Sequence, residues 1–354
     1  MFQIHDGLDF GRRIYSVGPR QRPVLLIDAR TATITAACWA ATACVAVLSL
    51  LTGSASVSIA EAVGALLGRG DPYTTMIVVE WRAPRILMAV LLGVVLSMSG
   101  SIFQNLTANP LGSPDVIGFQ TGSYTGALVV MLIIGGGSTA TMVGALLGGV
   151  ATALAVFLLA SKSGFAGGVR LVIVGIAVSA MLASVNVWIL LTASVEDAIM
   201  ASLWGAGNLA GTSWSALLLA ASGSIVFIAG AVALARPMRL MQIGLPFATA
   251  LGQNVRRVQI AAIITGIGLT ALATATAGPI SFIALAAPQI ARRLVRDDGL
   301  ALAPTAAVGS LLLLLADTVA QRINPESPLP VGIVTVSIGG IYFLWLLLRE
   351  GRKK

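Results

Sequence analysis

The sequence predicts an all-α polytopic membrane protein with about ten transmembrane helices and both termini in the cytoplasm. Three observations lead there. Of 354 residues, 57% are hydrophobic and only 10% are charged, against about 25% charged in ordinary soluble chains. Charge that sparse does not cover a water-exposed surface of this size. The apolar residues are gathered into runs that approach or exceed the roughly 20 residues needed to cross a bilayer. Glycine, with 39 residues, is abundant, as in spanning helices, which use it more than soluble helices do. The polar stretches between runs are too short for a second, soluble domain. A disulfide scaffold is excluded, because the only cysteines, Cys38 and Cys44, share one apolar run.

Residues 1–30 read as a polar cytoplasmic tail, with Arg12, Arg13, Arg20, Arg22 and Arg30 set among Asp6, Asp9 and Asp28. The run 31–51 is too long for a signal-peptide core and has no small-residue cleavage site, so it reads as an uncleaved first span. Further runs lie near 84–104, 115–135, 139–160, 170–192, 214–235, 257–277, 280–291, 300–320 and 330–348, which makes ten segments within a transmembrane domain of 31–348. The eighth is short, between Gly278-Pro279 and Arg292, and need not cross fully. A tail, 349–354, closes the chain. With a cytoplasmic N-terminus, the inner segments hold 18 of the 22 basic residues, leaving Arg69, Arg82, Arg85 and Arg322 outside. Lysine and arginine concentrate on the cytoplasmic side of membrane proteins, so this split supports the orientation. Gly122-x-x-x-Gly126 and Gly144-x-x-x-Gly148 let helix backbones approach closely and are expected to pack helices within the chain.

Several chemistries are excluded. A net charge of +8 would suggest nucleic acid in a soluble protein, but there is no basic stripe and no aromatic platform to bind one. No G-x-x-x-x-G-K-[ST] phosphate loop is present, so the chain cannot bind and hydrolyse ATP in the usual way. The one histidine, His5, lies in the tail, and the two cysteines sit six apart, about 240° around a helix. Neither a metal site nor a resident cofactor can be assembled from these, and no Ser-His-Asp or Cys-His arrangement exists, which disfavours a membrane-embedded enzyme. Ionisable residues inside spans mark proton relays in coupled transporters. Here the clear case is Asp317, near the outer end of the ninth run, with Gln321 one turn on. A helix-end hydrogen bond is the plain reading of that pair, and a proton relay in an ion-coupled secondary transporter the alternative. A pathway without enzyme chemistry or evident ion coupling needs an external energy source.

Four stretches are specific. Arg82-Ala83-Pro84-Arg85 opens the second run, and proline suits the first turn of a helix, so the arginines flank a helix start. Asn109-Pro110-Leu111-Gly112-Ser113-Pro114-Asp115 is an inner connection without a basic residue. The loop 236–257, flanked by Arg236 and Arg257, contains Gly244-Leu245-Pro246-Phe247-Ala248-Thr249-Ala250-Leu251-Gly252-Gln253-Asn254-Val255. The last pairs Ala277-Gly278-Pro279-Ile280-Ser281-Phe282-Ile283-Ala284-Leu285 with Leu329-Pro330-Val331-Gly332-Ile333-Val334-Thr335.

In order and spacing, from about residue 35 to the C-terminus, these stretches resemble the permease subunits of the iron-siderophore and vitamin B12 class of ABC importers. Asn109 to Asp115 and the tail from Leu329 are most similar to the ferric-enterobactin permeases. The resemblance implies the type II importer architecture, with ten helices per permease subunit. It also implies a second permease subunit, expected to be a related, unlike chain, two cytoplasmic ATPases and an extracytoplasmic binding protein. The implied cargo is an Fe(III)–siderophore complex, with cobalamin or haem as the alternative within the class. The implied ATPase-coupling element is a short helix at Ala248–Leu251 closed by Gly252, with Gly244, Ala248, Thr249, Leu251 and Gly252 as its residues. Arg82, Arg85 and Arg322 are implied to dock the binding protein. Small, weakly polar residues of the Gln120–Gly126 stretch, with Gln120, Thr121 and Ser123 foremost, are expected along the pathway, with no protein ligand on the iron. One departure is that Leu245-Pro246-Phe247 replaces a polar stretch that carries an acidic residue in the family.

Overall fold

The computed structural model describes residues 3–4, 14–17, 25–53, 55–115, 117–160, 169–297, 299–324 and 327–351. In the N-terminal tail the strands β1 (Gln3–Ile4), β2 (Ile14–Val17) and β3 (Leu25–Asp28) pair antiparallel in the order β1-β2-β3, with Tyr15 opposite Ile27. A purely polar tail does not anticipate this. Its signal is local: short β-branched and aromatic runs separated in sequence by Gly18-Pro19 and Pro23, the residue types of strands and turns.

The rest is helical. Helix α1 (Ala29–Leu51) starts where the Asp28 carboxylate accepts the Arg30 amide. Outside the predicted runs lies α2 (Ile59–Leu66), closed by a capping box between Ser58 and Glu61. The Ser58 amide, and then its hydroxyl, hold the Glu61 carboxyl below its usual range. Next, α3 (Pro72–Thr75) and a π-helical turn (Met76–Arg82) lead without a break into α4 (Ala83–Leu106). The second apolar element therefore begins at Pro72, a full 35 residues long, well before the predicted Pro84. Proline at N1 of a helix is compatible with helix preceding it, because a π-turn here absorbs the displaced hydrogen bonds.

After the connection 107–118 come α5 (Phe119–Leu128), continued by a π-helical stretch Val129–Ile134, then α6 (Ser138–Ala160), α7 (Val169–Thr192) and α8 (Val195–Gly205). They are followed by α9 (Trp214–Gln242), α10 (Leu245–Ala250), α11 (Val255–Ala277), α12 (Ile283–Val295), α13 (Leu302–Ile323) and α14 (Val331–Gly351). By length and composition, seven elements among the described residues can cross a membrane: α1, Pro72–Leu106, α6, α7, α9, α11 and α13. A shorter apolar helix, Phe119–Ile134, occupies the third predicted run, the 21-residue α14 the tenth, and the 13-residue α12 the eighth. Each predicted run thus holds a helix, and among the described residues seven of them meet the length and composition of a full crossing.

Helix α4 forms the centre, packed by α13, α11, α12 and α9. Without a hydrophobic drive between helices in lipid, packing and interhelical hydrogen bonds hold such a bundle. Small residues permit both here. A Cβ on Gly100 would lie 1.7 Å from the Ala284 carbonyl oxygen, so α12 lies directly on the α4 backbone. The Ser99 hydroxyl, fully buried, donates to the Gly266 carbonyl of α11 at 2.7 Å. The two predicted glycine motifs meet each other: a Cβ on Gly126 would lie 2.1 Å from the Gly144 carbonyl, and one on Gly148 2.4 Å from that of Gly122. They join α5 to α6 within the chain, as the sequence suggested.

Candidate functional site

Functional features fall at the two ends of the bundle and along one exposed face. At one end, the π-turn delivers Arg82 beside the end of α1, where it donates to the carbonyls of Leu50 at 2.8 Å and Ala55 at 2.5 Å. One turn on, the Arg85 fork grips Asp317 of α13, with Nη2 2.8 Å from Oδ1 and Nε 3.1 Å from Oδ2. Gln321 donates to the same carboxylate at 2.7 Å. Asp317 is fully buried and Arg85 14% exposed. A carboxylate saturated by a two-pronged guanidinium and an amide is a structural clamp between α4 and α13. Arg322 differs: it is exposed and its guanidinium meets the Thr52 hydroxyl. Of the three rim arginines, then, Arg82 and Arg85 have internal partners and Arg322 stands at the surface.

At the opposite end, α10 is a single short helix between two hinges. It runs Leu245–Ala250, three residues earlier than expected, because Pro246 suits a first turn. Gly244 (φ +138°) and Gly252 (φ +81°) bracket it in backbone conformations that L side chains rarely adopt. Ala248 is fully buried and Gln253 donates to the Pro237 carbonyl at 3.0 Å, seating the loop on α9. Ile243, Leu245, Phe247 and Leu251 are exposed. Thr249 bonds back to the Leu245 carbonyl at 2.9 Å. The apolar Leu245-Pro246-Phe247 stretch therefore forms a projecting hydrophobic knob, of the kind that marks an interaction site.

The predicted pathway residues sit inside the chain. Gln120 is buried, donating to the Ile280 carbonyl at 2.8 Å and accepting from the Ser281 hydroxyl at 2.8 Å. Ser123 is fully buried beside Gly149, whereas Thr121 is partly exposed. Close by, the Asp115 carboxylate accepts the amide of Phe282 at 3.2 Å. Phe282 has φ +73°, a strained conformation for a bulky residue, and this hydrogen bond helps hold it. Two of the specific sequence stretches thus meet. The inner connection and the first residues of α5 brace the irregular entry to α12. The last two stretches also converge: Cβ atoms on Gly278 and Gly332 would lie 2.3 Å and 1.9 Å from the carbonyls of Trp204 and Ala206, at the end of α8.

Sequence reasoning missed the exposed face built there. Large apolar side chains of α7, α8 and α14 stand clear of the bundle, among them Leu191 (80% exposed), Val195 (74%) and Ile341 (71%). Between them lies a cavity of about 600 Å³, lined by Leu190, Leu191, Val195, Ile199, Leu203 and Ile333. The available signal was the apolar stretch around Val195–Leu203 after a predicted span. Among the described residues no group of three or more His, Cys, Asp or Glu side chains is placed to hold a metal ion.

Seven elements long and apolar enough to cross a membrane define an integral membrane protein of the helical-bundle class. The comparisons with known proteins place it further. Residues 41–349 match the model of the FecCD transport family, and the chain belongs to that family. It is 47% identical over 305 residues to the ferric enterobactin transport system permease protein FepG of Escherichia coli, covering 86% of this chain and 92% of that protein. It is 35% identical over 279 residues to the hemin transport system permease protein HmuU of Yersinia pestis, covering 77% and 83%. Among solved structures it superposes on an inward-facing conformation of a metal-chelate type ABC transporter with a TM-score of 0.79 at 25% identity, covering 90% of this chain and 99% of that one. The protein is therefore a non-catalytic permease subunit of an ABC importer, embedded in the cytoplasmic membrane and working with ATPase and substrate-binding partners. An ion-coupled carrier using Asp317 is set aside, since the family is ATP-driven and that carboxylate is clamped by Arg85.

Proposed function

We propose that this chain carries Fe(III)–siderophore complexes, of the catecholate, enterobactin-like kind, through a pathway shared with a second, related but unlike permease chain. The observation that carries the reading is the 47% identity, over most of both chains, to a ferric enterobactin permease. Relatives named for ferric hydroxamate and ferric citrate stand lower, at 31% and 33%. The exposed apolar face of α7, α8 and α14, with its recess of about 600 Å³, is the surface assigned to that pairing. The knob of α10 with Gly244 and Gly252 is the coupling element, its Leu245, Phe247 and Leu251 seated on an ATPase. Ala248 and Thr249 keep it in shape rather than touch the partner. The rim of Arg82, Arg85 and Arg322 receives the acidic surface of the binding protein. Arg322 makes the direct contact and the clamped pair fixes the rim. Within the chain, Gln120 shapes the pathway by bracing the entry to α12, and Thr121 and Ser123 line it from the same helix, α5. The iron, already saturated by its chelator, needs no protein ligand. Residues 1–30 and 349–354 are cytoplasmic tails.

The test is uptake of radioactive iron by a strain lacking this chain and the same strain complemented with it. Iron is offered as ferric enterobactin, a ferric hydroxamate, ferric citrate or haem. Complementation should restore uptake of the catecholate complex and little of the others. Restoration of haem uptake alone would contradict the substrate assignment and leave the permease class intact.

A further inference from the structure

A second apolar recess lies on another face of the bundle, between α6, α9 and α11. Helices α6, α9 and α11 enclose a groove of about 550 Å³ whose walls include Val150, Leu154, Phe157, Phe227, Ile264 and Ile267. On α11 the lining runs from Ile260 to Leu272, about 18 Å at 1.5 Å per residue. That is close to one leaflet, half of a hydrocarbon core roughly 30 Å thick. The Phe227 ring of α9 leans over Gly268, where a Cβ would lie 2.2 Å from it, so the absence of a side chain there shapes one wall. Leu154 and Ile264 are well exposed within the recess.

The groove has a charged mouth. Arg256 and Arg257 stand in the first turn of α11, four and three residues before Ile260, on the stripe that lines the groove. Both are exposed. Among the described residues neither meets a carboxylate within salt-bridge distance, and the groove helices themselves carry neither Asp nor Glu. Two exposed cations at the cytoplasmic end of an apolar groove one leaflet long match a single chemistry: an acyl chain that ends in an anionic headgroup. Basic pockets between helices on this side of a membrane attract such lipids.

We infer that the α6–α9–α11 groove is a binding site for an anionic glycerophospholipid of the inner leaflet, its acyl chain along Ile260–Leu272 and its phosphate on Arg256 and Arg257. The occupant is a lipid rather than a protein segment because the walls carry almost no hydrogen-bonding groups, whereas two exposed arginines stand at the mouth. The site is independent of the substrate proposed above.

Native mass spectrometry of the complete permease–ATPase complex, delipidated in detergent and titrated with phosphatidylglycerol or phosphatidylcholine, tests it. The wild type should retain phosphatidylglycerol at least tenfold more strongly than phosphatidylcholine. Arg256→Glu/Arg257→Glu should abolish that preference, and Arg256→Lys/Arg257→Lys should keep most of it. Leu154→Trp, which narrows the groove without touching the charges, should weaken both lipids. Equal retention of the two lipids by the wild type, or an unchanged preference in the double glutamate variant, would overturn the inference. So would loss of ATPase association in that variant with lipid retention intact, which would assign the arginines to the ATPase. A cross-link from position 154 to the second permease would likewise overturn it, making the groove a subunit interface.

Discussion

The Arg85–Asp317 clamp shows how a single residue pair divides labour at the outer rim. Sequence reasoning found both residues but could not join them, because 232 positions separate them and no local pattern encodes an ion pair between α4 and α13. Removing one member of a buried pair leaves a charge without a partner, at a cost of about 3–5 kcal/mol. Asp317→Ala should therefore lower the thermal unfolding temperature of the purified complex markedly. Arg85→Met/Asp317→Leu, which removes both charges, should recover most of the loss. If Asp317→Ala unfolded like the wild type, the pair would not be structural. Arg322, exposed and outside the clamp, separates docking from stability. Charges at the rim of an interface act chiefly on association rate and its salt dependence. Arg322→Glu should slow capture of the loaded binding protein at low ionic strength by several-fold, with unfolding unchanged. Capture at the wild-type rate at low salt would remove Arg322 from the docking surface.

Helices were legible in proportion to their apolar length. The first, fourth, fifth, sixth, seventh and ninth predicted runs became α1, α6, α7, α9, α11 and α13 with ends shifted by a few residues. The misses have physical reasons. Helix α2 and helix α8 lie outside spanning runs, so hydropathy gave them no weight, though Ser58 with Glu61 and Ser194 with Asp197 cap them in plain view. The π-turn before α4 depends on tertiary packing that no period reveals. In the proposed coupling element, α10, Pro246 and the two glycines fixed the boundaries, and the helix began earlier than expected. Its hinge is testable, because a side chain at Gly252, with φ +81°, costs about 1–2 kcal/mol. Gly252→Trp should distort α10 and reduce uptake and ATPase stimulation at least fivefold while membrane insertion stays normal. Full transport by that variant would show that α10 merely connects α9 to α11.

At the scale of the molecule, charge distribution predicted orientation and composition predicted the membrane, but neither located the face proposed for the second permease. That face emerged only when the bundle was assembled, with α4 at its centre and α7, α8 and α14 left uncovered. Leu191→Glu should place a charge in the proposed permease–permease contact. The second permease should then co-purify in much smaller amounts, though the variant chain still inserts. Undiminished co-purification would move the contact elsewhere. The central claim, that this is the permease of an ATP-driven importer of iron chelates, is tested most directly in proteoliposomes. These would hold the complete complex, with binding protein loaded with ferric enterobactin on one side and ATP on the other. The account predicts accumulation of radioactive iron that requires ATP and this chain and continues when ionophores collapse every ion gradient. Accumulation that proceeds without ATP and stops when the gradients collapse would contradict it.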